Sequence, residues 1–256
     1  MRKMIASVFA ACIVAVTGCA TAGTGQPPAE TQAERAAETP GNMPIPAVSA
    51  DDPAVVPVSR SDPWWIDRHT ERTNPRYNQK IIFIGDSITQ GWEGTEAWTA
   101  LNQTYQNAAV NLGFSGDQTQ HALWRLENGE FPPGIQPEYA VILIGTNNND
   151  APDAIAAGIG KIIQIIHANS PETNILLLSL LPRGIGGADA NTLRNNAVNE
   201  IIRKYDGFLR VTYLDIAQYY VNPDGTLKEE LFTDRLHLTE AGYEVWKETL
   251  MEVIGN

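Results

Sequence analysis

Beyond residue 19 this chain has no cysteine; its two, Cys12 and Cys19, both lie near the N-terminus. A folded region without cysteine has no disulfide framework, no thiol nucleophile and no thiolate metal site, so an ordinary buried core must hold it together. Basic residues are scarce as well: 18 Lys and Arg stand against 30 Asp and Glu, a formal net charge of -12. That balance repels polyanions and argues against nucleic acid as a partner. The apolar run from Met4 to Val16 is too short and too weakly flanked for a stable membrane span. No internal repeat is visible.

What is present begins with a leader. Arg2 and Lys3 precede the apolar run, which ends in Thr17-Gly18-Cys19, the layout of a secretory signal. Val16-Thr17-Gly18-Cys19 resembles the bacterial lipobox, which implies removal of residues 1–18 and lipidation of Cys19. The expected location is outside the cytoplasm, anchored by lipid to a bacterial membrane, in the periplasm or at the cell surface. Residues 19–59 are rich in Ala, Thr, Pro, Gly and Glu and poor in aromatics, and read as a disordered tether. Trp64-Trp65-Ile66 marks the return of burial and reads as an arm packed on a domain that spans residues 60–256.

Within that domain, apolar runs alternate with helical patterns. Ile81-Ile82-Phe83-Ile84 reads as a strand buried on both faces, stopped at Gly85 and followed at once by Asp86-Ser87. Further strands are expected over Ala108–Leu112, Tyr139–Gly145, Asn174–Leu181 and Val211–Ile216. Helices are expected over Glu96–Leu101, Thr119–Leu126, Ala154–His167 and Asn191–Tyr205, with a last one that Thr239 caps. Strands alternating with helices imply an α/β fold, a parallel sheet covered on both faces. In such sheets ligands collect at the carboxyl ends of the strands, where Ser87 would stand.

Three of the loops that follow strands present a polar residue or a glycine: Ser87, Gly116 and Asn147. A fourth segment, Asp234-Arg235-Leu236-His237, places a carboxylate and an imidazole three residues apart. Ester hydrolysis needs a hydroxyl nucleophile, a base to take its proton, an acid to orient the base, and donors for the oxyanion. These residues fill those roles as one set. Asp234 and His237 have no further His or Cys cluster with which to bind a metal.

Gly85-Asp86-Ser87, Gly116, Asn147 and His237 resemble the four sequence blocks of the SGNH (GDSL) hydrolases. The likeness extends from about Lys80 to Ile254 and is strongest to the catalytic subunits of platelet-activating-factor acetylhydrolase. It rests on Asn111–Asp117, His121–Leu126, Gly145–Asn148, Leu181–Gly184 and Leu236–Thr239. The resemblance implies a three-layer, doubly wound, five-stranded parallel sheet of flavodoxin-like topology and no cofactor. It implies Ser87 as nucleophile, His237 as general base and acid, and Asp234 as the group that orients the imidazole. The N–H groups of Ser87 and Gly116, with the Asn147 amide, would form the oxyanion hole. Asp86 reads as structural.

The expected activity is a serine esterase acting on short acyl esters, foremost O-acetyl groups on an extracytoplasmic carbohydrate. A phospholipid or lysophospholipid acyl hydrolase is the alternative within enzymes, and a non-catalytic glycan-binding lipoprotein is the alternative outside them. The loops have no room for a long acyl trough, and Trp92 and Phe114 are expected to close a short acyl pocket.

Overall fold

The computed structural model describes residues 42–73 and 79–255. The signal, the lipobox Cys19 and the first part of the expected tether lie outside the described residues. Five strands form one parallel sheet: β1 Ile81–Gly85, β2 Ala109–Gly113, β3 Tyr139–Leu143, β4 Asn174–Leu178 and β5 Val211–Leu214. Their spatial order is β2-β1-β3-β4-β5, as expected for the doubly wound α/β fold. β1 is an interior strand, paired with β2 and β3, and all five of its residues are buried.

The helices are α1 Pro63–Arg72, α2 Ser87–Gln90, α3 Glu96–Thr104, α4 Thr119–Arg125, α5 Pro152–Asn169, α6 Ala190–Ile202 and α7 Glu240–Ile254. Right-handed crossovers fix their layers. The step from β1 to β2 runs one way along the sheet, and every later step runs the other way. So α3 lies on one face, where it packs on α7, while α4, α5 and α6 pack in series on the opposite face. The direction reverses between β1 and β3, and their carboxyl ends open the crevice in which such folds bind ligands.

Two expectations need correction. Trp92 and Phe114 do not wall an acyl pocket, because both are fully buried. Trp92 stacks on Trp246 at 4.5 Å and meets Phe83 edge-on at 5.2 Å, forming the core between sheet, α3 and α7. Phe114 lies beneath the Arg125 guanidinium, 3.9 Å from its ring centre, and against Trp65. Both residues are near the catalytic loops in sequence, but their partners come from distant parts of the chain.

The second correction concerns the tether, which was expected to run through residue 59. Residues 42–59 instead lie on the domain, with Met43, Ala54 and Val55 buried. The Ala54 carbonyl accepts from Thr119 Oγ1 at 2.7 Å, the Val55 carbonyl from Lys161 Nζ at 3.0 Å, and Val58 N–H donates to Gln120 O at 3.2 Å. Two glycines inside α5 explain how the segment comes so close. A Cβ at Gly158 would stand 2.5 Å from Ala54 O, and one at Gly160 2.8 Å from the Ile45 side chain. Glycine inside a helix costs about 1 kcal/mol relative to alanine; here it admits a whole segment. The arm beyond it is helical, as α1, with Trp65 buried and Trp64 and Ile66 exposed.

Candidate active site

Ser87 opens α2 directly after β1. Asp86 caps that turn, its Oδ1 accepting from Ile88 N–H at 3.0 Å. Only glycine fits at position 85, since a Cβ there would sit 2.0 Å from Thr89 Oγ1 and 2.6 Å from Leu143 O. The chain therefore folds straight back over the strand ends and presents the serine at the crevice. Asp86 is fully buried, and loss of solvation pushes its carboxyl up from 3.8 to about 7, with the nearby Asp117 charge adding to the shift and the Ile88 N–H opposing it.

His237 comes from the other end of the chain. Its Nε2 lies 2.9 Å from Ser87 Oγ and its Nδ1 2.7 Å from Asp234 Oδ2. With Nδ1–H donating to the carboxylate, Nε2 is left to accept the serine hydroxyl proton. Asp234 is held in turn by backbone donors: its Oδ1 accepts from His237 N–H at 2.7 Å and Leu236 N–H at 3.1 Å. The His237 N–H is the main reason its carboxyl stays below the usual aspartate range. This turn is open to solvent, with the Asp234 and His237 side chains 54% and 38% exposed.

The loop after β2 accounts for its N–H groups in an unusual way. Gly113 N–H donates to Asn111 Oδ1, Phe114 N–H to Gly85 O, Ser115 N–H to Gln90 Oε1 and Asp117 N–H to Phe114 O. In this loop Gly116 N–H alone has no acceptor among the described residues, and the residue is exposed, so the donor is open to a ligand. Gly116 also has φ +76°, in the left-handed region that favours glycine. Ser87 N–H, at the start of α2, has no acceptor among the described residues either.

Asn147 follows β3 and is half-buried. Its Nδ2 donates to Asp117 O at 3.0 Å, which ties it to the Gly116 loop and leaves its second amide hydrogen free. The carbonyl just before it, Thr146 O, receives Arg183 Nη1 at 3.0 Å and Arg194 Nη2 at 2.8 Å. Gln90 joins the Gly116 loop to α2. The structure thus brings Ser87, His237 and Asp234 into one relay, and links Gly116 and Asn147 to each other through Asp117.

Several contributors escaped the sequence reading. Beneath the Gly116 loop, Asp117 accepts from Trp65 Nε1 at 2.8 Å and Arg125 Nε at 2.8 Å, and Arg125 continues to Glu130. The side chains of Asp117, Arg125 and Glu130 are fully buried. Arg60 reaches the same loop from before α1, donating to Ser115 O at 2.7 Å. No local pattern signals these contacts, since the partners of Arg60 and Trp65 lie more than fifty positions away. His121 takes no part in the relay. Its Nδ1 accepts from Gln118 N–H at 3.0 Å, and burial lowers its pKa. Among the described residues no group of three or more His, Cys, Asp or Glu side chains gathers as metal ligands would.

Residues 83–245 match the model of the GDSL-like lipase/acylhydrolase family. The chain is 36% identical over 200 residues to platelet-activating factor acetylhydrolase IB subunit alpha1 of Homo sapiens, covering 76% of this chain and 84% of that protein. In fold it is similar to a GDSL-like lipase from Bacteroides thetaiotaomicron, with TM-score 0.62, 20% identity, and coverage of 74% of this chain and 96% of that one. It is also similar to an acetyl xylan esterase, with TM-score 0.57, 21% identity, and coverage of 68% and 98%.

Proposed function

The chain belongs to the GDSL-like lipase/acylhydrolase family, a family of carboxylic ester hydrolases, and from that premise we propose that it is an exported serine esterase that removes acetyl groups from a carbohydrate. The observation that carries the chemistry is the relay from Ser87 Oγ through the His237 imidazole to Asp234, at 2.9 and 2.7 Å.

In this reading Ser87 Oγ attacks the ester carbonyl carbon while its proton passes to His237 Nε2. Asp234 holds the imidazole in the tautomer that can accept this proton and stabilises the imidazolium that results. Negative charge then develops on the carbonyl oxygen. The unpartnered N–H groups of Ser87 and Gly116 and the free amide hydrogen of Asn147 receive it. When the intermediate collapses, the bond to the sugar oxygen breaks, His237 gives its proton to that oxygen to make the free hydroxyl, and an acetyl-serine remains. Water, deprotonated by His237, attacks that ester, and as acetate leaves His237 returns the proton to Ser87 Oγ.

Support for a small acyl group comes from the loops. Residues 114–118 link β2 to α4, and 144–151 link β3 to α5, so neither connection holds an insertion that would build a lid. A structural neighbour is an acetyl xylan esterase. The second reading, an acyl hydrolase of acetylated phospholipids, is favoured by the identity to a platelet-activating factor acetylhydrolase subunit. A non-catalytic glycan binder is the weakest of the three, because it has no need of an aligned serine, imidazole and carboxylate. For location, we propose cleavage after residue 18 and a lipid anchor on Cys19, supported by the lipobox-like Val16-Thr17-Gly18-Cys19. Replacement of Cys19 by alanine is then expected to release the protein from the membrane fraction.

The substrate is tested by kcat/KM across p-nitrophenyl acetate, butyrate and octanoate below their micellar concentrations. A parallel test compares acetylated xylo-oligosaccharide with an acetyl-glycerophospholipid. The acetyl ester and the sugar should be preferred. An optimum at octanoate rejects the short-acyl reading, because a trough that rewarded longer chains would gain about 0.8 kcal/mol per buried methylene. Preference for the phospholipid promotes the second reading.

A further inference from the structure

We infer that Arg60 is a positioning residue for the oxyanion hole: its guanidinium orients and polarises the peptide that carries the Gly116 N–H. The inference rests on the assignment of Gly116 as an oxyanion donor.

The argument starts from the peptide unit. Ser115 C=O and Gly116 N–H belong to one planar group and, in a trans peptide, point in opposite directions. Whatever fixes the carbonyl therefore aims the N–H. Arg60 Nη1 donates to Ser115 O at 2.7 Å, within the short range of charge-assisted bonds. On the other side of the residue, Ser115 N–H donates to Gln90 Oε1 at 2.6 Å. The residue before Gly116 is thus gripped at both its backbone groups. A cation on the carbonyl oxygen also draws electron density away from the amide nitrogen. That makes Gly116 N–H a stronger donor, as linked hydrogen bonds polarise one another.

Arg60 is itself held in place. Its Nε lies 3.0 Å and its Nη2 2.9 Å from Asp62 Oδ2, and its guanidinium stands 5.3 Å from the Trp64 ring centre. Its side chain is 21% exposed and its Nη1 also stands 3.5 Å from the buried Asp117 Oδ1, while the Ser115 contact itself lies at the surface of the crevice. Nη1 is also 3.1 Å from the point where a Cβ on residue 116 would stand. Glycine suits 116 for its positive φ, and a side chain there would press on the Arg60 guanidinium. The same N-terminal region ties down the neighbouring residues, since Arg68 Nε donates to Gly113 O at 2.9 Å and Trp65 Nε1 to Asp117 Oδ1 at 2.8 Å. Residues 113, 115 and 117 are braced from that side, and the N–H between them is left free.

The test uses the full-length protein with p-nitrophenyl acetate as substrate and a trifluoromethyl ketone as a reversible tetrahedral-adduct inhibitor. Arg60→Ala should lower kcat by about ten- to a hundredfold, less than loss of a donor itself. KM should change by less than about threefold, because the donor matters most when charge has developed on oxygen. Ketone affinity should fall by the same factor as kcat/KM. Arg60→Lys, which keeps a cation, should recover more of the rate than Arg60→Gln, which keeps only a neutral donor. The inference is overturned if Arg60→Ala keeps kcat within twofold of the parent, or if the loss falls on KM alone. It is also overturned if Lys, Gln and Ala all lose rate equally and in step with thermal stability, which would mark a structural role. Ser87→Ala separates the two levels. Unchanged Arg60 variants beside an inactive Ser87→Ala reject this inference alone, whereas an active Ser87→Ala rejects the reading of the site.

Discussion

The Gly116 loop and the Asp234–His237 turn serve one site and are built in opposite ways. The loop rests on Asp117, Arg125 and Glu130, whose side chains are fully buried, and guanidinium groups hold the carbonyls of Ser115 and Thr146. The turn stands open, with half of the Asp234 side chain exposed, and is organised by its own backbone. The difference follows from the proposed roles. Oxyanion donors act by being aimed before charge appears, so any slack in them is lost rate. A base must exchange its proton with serine, leaving group and water in turn, so it needs access and only local orientation.

Stability and rate should therefore separate across the two regions. The largest effect is expected at the relay: Ser87→Ala and His237→Ala should each lose about four or more orders of magnitude in kcat while unfolding like the parent, measured by ester turnover and circular dichroism. Asp234→Asn should follow, with a rate loss of about 10⁴-fold, because the imidazole would adopt the wrong tautomer, and with little change in urea midpoint. Asn147→Ala should cost about 10²- to 10³-fold in kcat, with KM nearly constant. A loss confined to KM would move Asn147 to substrate binding.

Beneath the loop the order reverses, and stability should suffer first. Arg125→Met removes the buried cation that Asp117 and Glu130 share, leaving Asp117 with Arg60 at 3.5 Å and Glu130 with His69 at 2.9 Å, and is expected to destabilise by about 3 kcal/mol in urea unfolding. If Arg125→Met unfolds no more easily than Asp234→Asn, the contrast between a braced loop and a self-supporting turn is wrong. Asp86, buried between the two regions, adds a pH dependence. Its carboxyl is raised from 3.8 to about 7, so between those values the folded state holds a proton that the unfolded state has released. Stability should then fall as pH rises through that window. Asp86→Asn should flatten this fall, measured as thermal midpoints at pH 5 and pH 8.

Much of this was legible in the sequence where the physics is local. Ile81–Ile84 announces a strand buried on both faces, Gly85-Asp86-Ser87 its sharp exit, and Thr239 the cap of α7, which accepts from Gly242 N–H as expected. The alternation of strands and helices implied the sheet. Contacts between distant segments were not legible. Arg60 and Ser115 are 55 positions apart, and no periodicity joins them. Trp92 stands five residues after Ser87, yet its stacking partner is Trp246. Residues 42–59 read as a tether because prolines at 44, 46, 53 and 57 interrupt their apolar residues and no aromatic stands among them. What holds them is the groove that Gly158 and Gly160 open in another element.

The central claim is that Ser87 is the nucleophile activated by His237. Its most direct test is mass spectrometry of the protein after brief exposure to a fluorophosphonate. The account predicts a single adduct on the peptide containing Ser87 in the parent, none in Ser87→Ala, and labelling slowed by orders of magnitude in His237→Ala. An adduct on another residue, or equally fast labelling of Ser87 without His237, would contradict it.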